Sequence, residues 1–323
     1  MRKVGFALLA SAGLMLHPAA AHADPTDGLV PSITYVMGAT GLPDPESDLS
    51  YWDATIAYVP SGSTPVPFDT PEDLSPLVGD LTFDESVAEG VAALNAQIEP
   101  LLAAGTPVGV LGVSQSAVIA SLEMADLEQS DPNAPASFVL LGDPMNPDGG
   151  LFERFPGLQF DGITFSGATP ADDFPTTIYT HEYDPFADFC QYPVDVVCDV
   201  NAIAGITDHS YTAADLQTAV DLGTYGDTTY YMIPTPEAPL LQLISDVPVV
   251  GTPLADLLGP DLTDLINLGY GDPDQGWSTG APDVATPAGL LPPATDLDMM
   301  PSLLLSGTEQ GIQDCINALT ASL

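Results

Sequence analysis

The sequence has almost no basic residues. Its 323 residues include 45 aspartates and glutamates but only three lysines and arginines, which gives a formal net charge of −42. Two of the three, Arg2 and Lys3, stand at the N-terminus, and the third is Arg154. A surface of this sign repels nucleic acids and anionic headgroups. We therefore expect no nucleic-acid partner, and we interpret the dispersed carboxylates as a solubilising surface.

Long apolar runs and metal-binding motifs are absent as well. After the N-terminus no stretch is both long and uncharged enough to cross a bilayer, which takes roughly 20 apolar residues. No loop has the alternating Asp-x-Asp-x-Asp-Gly spacing of a calcium site. We expect no metal and no cofactor, and a protein that is soluble or peripherally attached to the cell envelope.

The first 23 residues have the pattern of an export signal. Arg2 and Lys3 supply a charged start, residues 6–16 an apolar run, and Ala21-His22-Ala23 a small-residue cleavage site. This pattern predicts a secreted or envelope-associated protein. The remaining residues, 24–323, are expected to form one domain, with a core at about 33–230 and an extension at about 231–323.

Cysteine is scarce, with Cys190, Cys198 and Cys315 in the whole chain. In an oxidising compartment two of the three are expected to pair. Cys190 and Cys198 are close in sequence and could form a disulfide that closes a small loop before His209. The sequence alone leaves the connectivity open.

Strand-like and helix-like segments alternate through the first two thirds of the chain. Residues 84–103 have apolar positions at helical spacing, and a strand, a turn and a helix follow over residues 108–127. Further strands are predicted at residues 33–37, 138–141 and 176–180, and residues 51–59 could extend or pair beside the first of them. This alternation predicts an α/β fold with a mostly parallel sheet flanked by helices.

Prolines interrupt the region after residue 230. We expect their spacing to forbid long helices and to give a helical cap or wrap-around extension. Its Leu-rich pieces could line an acyl-binding groove.

Ser114 is the candidate nucleophile. It lies in Gly112-Val113-Ser114-Gln115-Ser116, between an apolar strand and a small-residue helix. A sharp strand-to-helix turn exposes a serine hydroxyl and aims the next backbone N–H at the reacting carbonyl oxygen. A short pattern of this kind also occurs by chance, so the flanking strand and helix carry much of the argument.

The base that a serine nucleophile needs is limited by the supply of histidine. His17 and His22 belong to the export signal, which leaves His181 and His209. His209 lies in a polar loop after several aspartates, which fits the order Ser, acid, His of α/β-hydrolases. His181 ends a predicted strand and is interpreted as a hydrogen-bonded, partly buried histidine.

Three aspartates are candidates for the acid that orients His209. Asp184 directly follows a predicted strand and is the first choice; Asp188 and then Asp143 are the alternatives. For the oxyanion hole we expect the N–H of Gln115 and one from the loop after the first strand, at Thr40 or Ala39. Arg154 is interpreted as a member of a buried ion pair.

Several of these segments, taken in order, resemble one family. The segments are Gly38-Ala39-Thr40-Gly41, residues 112–116, Gly142-Asp143-Pro144, residues 147–150, Arg154-Phe155, Tyr183-Asp184, residues 187–189, residues 201–205, His209 with Tyr211, residues 230–236 and residues 267–271. Together they resemble the PE-PPE domain of mycobacteria and related actinobacteria, a serine α/β-hydrolase group similar to cutinases. The resemblance covers roughly residues 33–292.

The resemblance implies an esterase or lipase that acts on acyl esters, with Ser114, an aspartate and His209 as its triad. It also implies an alternative, the transfer of acyl groups between trehalose-type glycolipids of the cell envelope. An export signal in place of an N-terminal PE or PPE module implies secretion by the general route. A catalytically inactive protein that binds envelope lipid through the same fold is a hypothesis of another class.

Overall fold

A computed structural model describes residues 30–321, so the predicted export signal lies outside the described residues. Within this range the strands are β1 (Ile33–Val36), β2 (Thr64–Pro67), β3 (Val108–Val113), β4 (Ala136–Leu141), β5 (Gln159–Phe160), β6 (Ile163–Thr164), β7 (Thr176–His181), β8 (Val220–Tyr225) and β9 (Thr228–Ile233). The helices are α1 (Leu49–Thr55), α2 (Phe83–Ala103), α3 (Gln115–Ser130), α4 (Leu151–Arg154), α5 (Val196–Ala204), α6 (Pro239–Ser245), α7 (Gly251–Tyr270) and α8 (Ala294–Ala321).

Seven of these strands form the central sheet, in the order β2-β1-β3-β4-β7-β9-β8. All neighbouring pairs are parallel except β8 and β9, which are antiparallel. The predicted α/β fold with a mostly parallel sheet is confirmed. Because parallel strands end at a common edge, the loops after β1, β3, β4 and β7 lie side by side. These loops carry the candidate site.

Both faces of the sheet are buried. In β4, Phe138 and Leu140 point into the cluster that packs under α2 and α3, whereas Val139 and Leu141 point into a second cluster on the opposite face. This alternation follows from the two-residue period of a strand. Burial on both faces is why the central strands β3 and β4 are nearly continuous apolar runs.

The predicted helix at residues 84–103 is confirmed as α2. Its start is fixed by a capping box, in which the Thr82 hydroxyl accepts from the N–H of Glu85 and the Glu85 carboxylate accepts from the N–H of Thr82. Its buried positions, Val87, Leu94, Ile98 and Leu102 among them, repeat at helical spacing. The helix thereby covers one face of the sheet.

The expectation of a strand within residues 51–59 is wrong. Asp48 accepts hydrogen bonds from the N–H groups of Ser50 and Tyr51, and this cap starts α1. The strand that pairs with the outer side of β1 is instead β2, in the Pro-rich segment that follows, whereas β3 pairs with its other side. Aromatic and β-branched residues fit a helix as well as a strand when a cap fixes the first turn, so the composition of residues 51–59 was misleading.

The expectation that prolines forbid long helices is also wrong. The helix α7 has 20 residues with Pro260 inside it, and α8 has 28 residues with Pro301 inside it. An internal proline costs about 3 kcal/mol. The two helices pack along each other, and the Thr308 hydroxyl of α8 donates to the Asp261 carboxylate of α7 at 2.7 Å. Packing between the helices offsets the missing backbone hydrogen bonds. No helix in the described range is long and apolar enough to cross a bilayer.

Candidate active site

Ser114 occupies the tight turn between β3 and α3. Its backbone has φ 57° and ψ −114°, a conformation that non-glycine residues rarely adopt. Gly112 makes the turn possible, because a Cβ there would lie 2.4 Å from the carbonyl oxygen of Ser116. The Ser116 hydroxyl in turn accepts from the N–H of Val113 at 2.8 Å. The strained serine is thus held by its neighbours, and its side chain is half-buried at the wall of a cavity.

The structure brings His209 to Asp184. Nδ1 of His209 lies 2.7 Å from Oδ2 and 2.9 Å from Oδ1 of the Asp184 carboxylate. The carboxylate also accepts from the Tyr211 hydroxyl at 2.9 Å and from the N–H of Phe186 at 2.9 Å. Burial alone would raise the pKa of Asp184, but the His209 ring and these hydrogen bonds lower it below its usual value. Asp184 therefore stays ionised and holds the ring with Nδ1 facing inward.

The other ring nitrogen of His209 is free. Nε2 is buried and has no hydrogen-bond partner among residues 30–321. The ring packs against Phe186 with 4.6 Å between ring centroids, and both side chains line the same cavity as Ser114. No hydrogen bond of 3.5 Å or less joins Ser114 to His209.

The two alternative acids have other partners. Asp188 accepts from the N–H of Tyr183 at 2.9 Å. Asp143 accepts from the N–H of Met145 at 2.9 Å and from the Thr169 hydroxyl at 2.6 Å. Burial raises the pKa of both carboxyls, that of Asp143 to about 6. Neither hydrogen-bonds to His209.

His181 is engaged elsewhere, in agreement with its interpretation as a hydrogen-bonded histidine. Its Nε2 lies 3.2 Å from the carboxylate of Asp215, and its backbone N–H donates to the Tyr211 hydroxyl at 3.1 Å. Residues 30–321 therefore contain two histidine–aspartate pairs, of which the pair at His209 borders the Ser114 cavity.

The loop after β1 is tied to the Ser114 turn through the side chain of Gln115. The Thr40 hydroxyl donates to Oε1 of Gln115 at 2.9 Å, and Nε2 of Gln115 donates to the Asp73 carbonyl at 3.0 Å and to the Ser86 hydroxyl at 2.9 Å. The backbone N–H groups of Gln115 and Thr40 have no hydrogen-bond partner among residues 30–321. Ala39, Thr40 and Gln115 all line the cavity. The predicted oxyanion residues are thus adjacent to Ser114.

A cavity of about 330 Å³ lies in front of Ser114. Its lining consists of Ala39, Thr40, Leu74, Phe83, Ser114, Gln115, Pro144, Leu151, Phe152, Ile163, Phe165, Phe186 and His209. All of these precede residue 210, so the expectation that Leu-rich C-terminal pieces line the groove is wrong for this cavity. A larger cleft of about 580 Å³ lies among α7, α8 and residues 235–238, is lined by several carboxylates and includes neither Ser114 nor His209.

Three residues shape the site without having been assigned a role from sequence: Tyr211, Phe186 and Gly142. Tyr211 donates to Asp184, and Phe186 packs on His209. At Gly142, after β4, a Cβ would lie 2.7 Å from Cε1 of His209 and 2.8 Å from Cε2 of Tyr211. A Gly-Asp-Pro sequence marks the end of a strand, but nothing in it signals that a histidine ring occupies the space beside the glycine.

Glu72 supports the Thr40 loop from behind, because its carbonyl accepts from the N–H of Gly41 at 2.8 Å. Its carboxyl is fully buried, and burial raises its pKa to about 8. The folded chain therefore binds a proton that the unfolded chain has lost between about pH 4.5 and 8. The free energy of unfolding falls as pH rises through this interval.

We expect Glu72→Gln to raise the thermal midpoint by roughly 5 °C near pH 7 and to change it little near pH 5. Each pKa unit corresponds to about 1.4 kcal/mol. At neutral pH the folded chain keeps the Glu72 carboxyl protonated while the unfolded chain ionises it, which lowers the free energy of unfolding by roughly 3 kcal/mol. Scanning calorimetry at both pH values measures the difference. Glu89→Gln, at an exposed position of α2, is the matched control and is expected to shift neither midpoint. Equal effects of Glu72→Gln at the two pH values would contradict the prediction.

Arg154 makes no direct ion pair with any described residue, although its charge interacts at longer range with the carboxylates of Asp148 and Asp188. Arg154 is 2% exposed, yet no carboxylate oxygen among residues 30–321 lies within 4.0 Å of it. Its guanidinium donates to the Phe189 carbonyl at 2.8 Å and to the Thr286 carbonyl at 2.6 Å, and it also contacts the Thr286 hydroxyl. Arg154 therefore joins three distant segments through neutral acceptors.

The structure pairs Cys190 with Cys198, and Cys315 is a free thiol. The disulfide lies in a third apolar cluster under α5, α6 and α7, together with Tyr183 and Tyr270. No group of three or more His, Cys, Asp or Glu side chains in the described range could hold a metal ion.

Three curated relatives come from Mycobacterium tuberculosis. The uncharacterized PPE family protein PPE28 is 45% identical over 302 residues, which are 88% of this chain and 46% of that protein. The esterase PE16 is 42% identical over 276 residues, which are 80% of this chain and 51% of that protein. The PE family protein PE3 is 40% identical over 302 residues, which are 88% of this chain and 63% of that protein. The chain thus spans about half the length of the curated relatives it matches.

A solved structure, lysin B from Mycobacteriophage D29, has 24% identity and a TM-score of 0.28 over 37% of this chain and 48% of its own, a likeness too small to bear on activity. The family model of the PE-PPE domain matches residues 61–271. Since this match and the relatives agree with the ordered motifs, the chain belongs to the PE-PPE domain family.

Proposed function

We propose that the chain is a serine esterase that hydrolyses carboxylic esters through Ser114, His209 and Asp184. The observation that carries this proposal is the His209 ring, which binds a buried carboxylate through Nδ1 and has an unpartnered Nε2 at the cavity of Ser114. A serine at a strained strand-to-helix turn fits the same chemistry. The name of the relative PE16, an esterase, supports the reaction class.

In the proposed reaction, Ser114 Oγ attacks the acyl carbon of the ester while Nε2 of His209 takes its proton. The electron pair of the carbonyl moves to oxygen, and the N–H groups of Gln115 and Thr40 stabilise the resulting oxyanion. The alcohol leaves with the proton from His209, and the acyl group remains on Ser114. Water repeats the sequence and releases the carboxylic acid.

Asp184 acts by orientation and charge. Its contact with Nδ1 fixes the tautomer in which Nε2 is free to accept a proton, and its negative charge stabilises the imidazolium that forms. Tyr211 and the N–H of Phe186 hold the carboxylate in place. The His209–Asp184 pair is therefore already oriented for proton transfer before substrate binds.

A fluorophosphonate probe and nitrophenyl esters test the proposal together. We expect one label per chain, located at Ser114 by mass spectrometry, and hydrolysis of nitrophenyl butyrate by the same preparation. Ser114→Ala should lose the label, whereas the control Ser130→Ala, exposed at the end of α3, should keep it. If the wild type is neither labelled nor active on nitrophenyl esters, the esterase proposal fails, and lipid binding without catalysis becomes the hypothesis to test.

Gly142→Ala is expected to lower kcat by about 100-fold, because the added methyl displaces the His209 ring by a fraction of an ångström or more. The position also has φ +59°, so part of the effect is backbone strain. Gly105→Ala is the matched control, since Gly105 has φ +75° and a Cβ added there would meet nothing within 4 Å. Nitrophenyl ester kinetics on both variants separate the two causes. Equal kcat values for the two variants would speak against displacement of the ring.

The same proposal includes action outside the cytoplasm. The export signal predicted at residues 1–23 and the Cys190–Cys198 disulfide support it, because disulfides persist in oxidising compartments. Fractionation of the producing cells into cytosol, envelope and medium tests it. Accumulation of the unprocessed chain in the cytosol would count against export.

A further inference from the structure

The wall of the Ser114 cavity is apolar apart from its reactive end. Ser114, Gln115, Thr40 and His209 form that end, and the other lining side chains are aliphatic or aromatic. None of the lining residues is a carboxylate, although the chain has 45 of them. A ligand that fills this space must therefore be uncharged and apolar over most of its length.

Part of the wall belongs to the small hairpin of β5 and β6. Ile163 and, just after it, Phe165 reach the cavity from this hairpin. Phe165 stacks on Phe152 with 4.6 Å between ring centroids, and Phe152 meets Phe83 edge-on at 5.5 Å. Phe83 and Phe152 are buried in the main core, whereas Ile163 and Phe165 are only half-buried. The hairpin therefore supplies the less buried side of the wall, at the margin of the core.

One carboxylate holds the hairpin against α2. Asp84 accepts from the N–H and from the hydroxyl of Thr164, both at 2.7 Å. The N–H of Asp84 donates to the Gly162 carbonyl at 2.9 Å. These three hydrogen bonds fix the hairpin beside the cavity. They hold Gly162 and Thr164, and Ile163 lies between these two residues.

We propose that this cavity binds the acyl chain of the ester and that Ile163 and Phe165 determine the longest chain accepted. The proposal rests on the esterase function proposed above. If a methylene fills about the 30 Å³ of a liquid water molecule, the 330 Å³ cavity accommodates about ten carbon-sized groups. Longer chains must extend beyond the wall.

The first test is a series of nitrophenyl esters from acetyl to palmitoyl. For the wild type we expect kcat/KM to rise by up to about fourfold per added methylene, and to stop rising near ten carbons. Ile163→Trp should move this limit to shorter chains, and Phe165→Ala should move it to longer chains by about three carbons. Phe160→Ala is the control, because Phe160 is on the same hairpin but is 71% exposed and does not line the cavity.

The second test does not require catalysis. In a Ser114→Ala background, the affinity of straight-chain alcohols is measured by their displacement of Nile red. We expect this affinity to stop rising at the same chain length as kcat/KM. Ile163→Trp and Phe165→Ala should shift that length in the same directions as before. If the hairpin variants shift the limiting chain length for binding but the wild type is neither labelled nor active, the esterase proposal is wrong and the assignment of the cavity stands. An unchanged limit in both Ile163→Trp and Phe165→Ala, with Ser114 still labelled, overturns the role of the hairpin.

Discussion

Replacing His209 by glutamine is expected to lower kcat for ester hydrolysis by about 10⁶-fold. Glutamine keeps a hydrogen-bonding group near Asp184 but cannot take the proton of Ser114. The effect should fall on kcat, with KM nearly unchanged, because His209 contributes to the transition state more than to ground-state binding. Steady-state kinetics with nitrophenyl butyrate, at enzyme concentrations high enough to detect the residual rate, measure the loss.

His181→Gln is the matched control for this loss. Both histidines bond to an aspartate, but His181 faces Asp215 and does not line the Ser114 cavity. We expect His181→Gln to stay within about threefold of the wild type. The substitution keeps the backbone N–H that donates to Tyr211, and the side chain of His181 does not reach the reacting groups. A loss of similar size in both variants would mean that the two histidines act through stability, and the assignment of His209 as the base would fall.

Asp184→Asn is expected to lower kcat by about 10⁴-fold, less than the loss of His209, as in other triads. An amide in this position presents an N–H or an oxygen without charge, so His209 loses both its fixed tautomer and the partner of its imidazolium form. The low pKa of Asp184 indicates that the wild type is ionised throughout the working range. Rates from about pH 5 to 9 should therefore show no step from protonation of the Asp184 carboxylate.

The other two aspartates serve as controls for the acid. Asp143→Asn replaces a carboxyl whose pKa burial raises to about 6, and the amide oxygen can still accept from Met145. Asp188→Asn leaves the acceptor for the N–H of Tyr183 in place. We expect each to retain kcat within about tenfold. A drop of 10⁴-fold for either one, with Asp184→Asn active, would reassign the acid.

The fold was predictable where local patterns and global packing agree. The apolar run of β3 and the helical spacing of α2 predict the same strand–turn–helix order as the short pattern at Ser114, and together they favour a parallel sheet. The sequence distinguishes less clearly among the three candidate acids. Asp143, Asp184 and Asp188 all follow strands at the same sheet edge, and the structure buries all three.

What selects Asp184 is the conformation of one loop. The N–H groups of Phe186 and Ala187 and the hydroxyl of Tyr211 converge on its carboxylate. Sequence spacing does not specify that convergence, because it depends on how residues 184–188 turn. The cavity wall escaped prediction for a similar reason. Its hairpin strands are two residues each, too short to show a periodic pattern.

Arg154 determines how trypsin can cleave the folded chain. Trypsin-like enzymes cut after lysine or arginine, and beyond Lys3 the sequence offers them Arg154 alone. That side chain is 2% exposed and is bonded to the Phe189 and Thr286 carbonyls, so the bond after it is inaccessible until these segments separate. Each cleavage by trypsin then records one opening of the molecule and yields two large fragments. Because lysine and arginine are so scarce, the rate of trypsin cleavage measures how often the segments around Arg154 open.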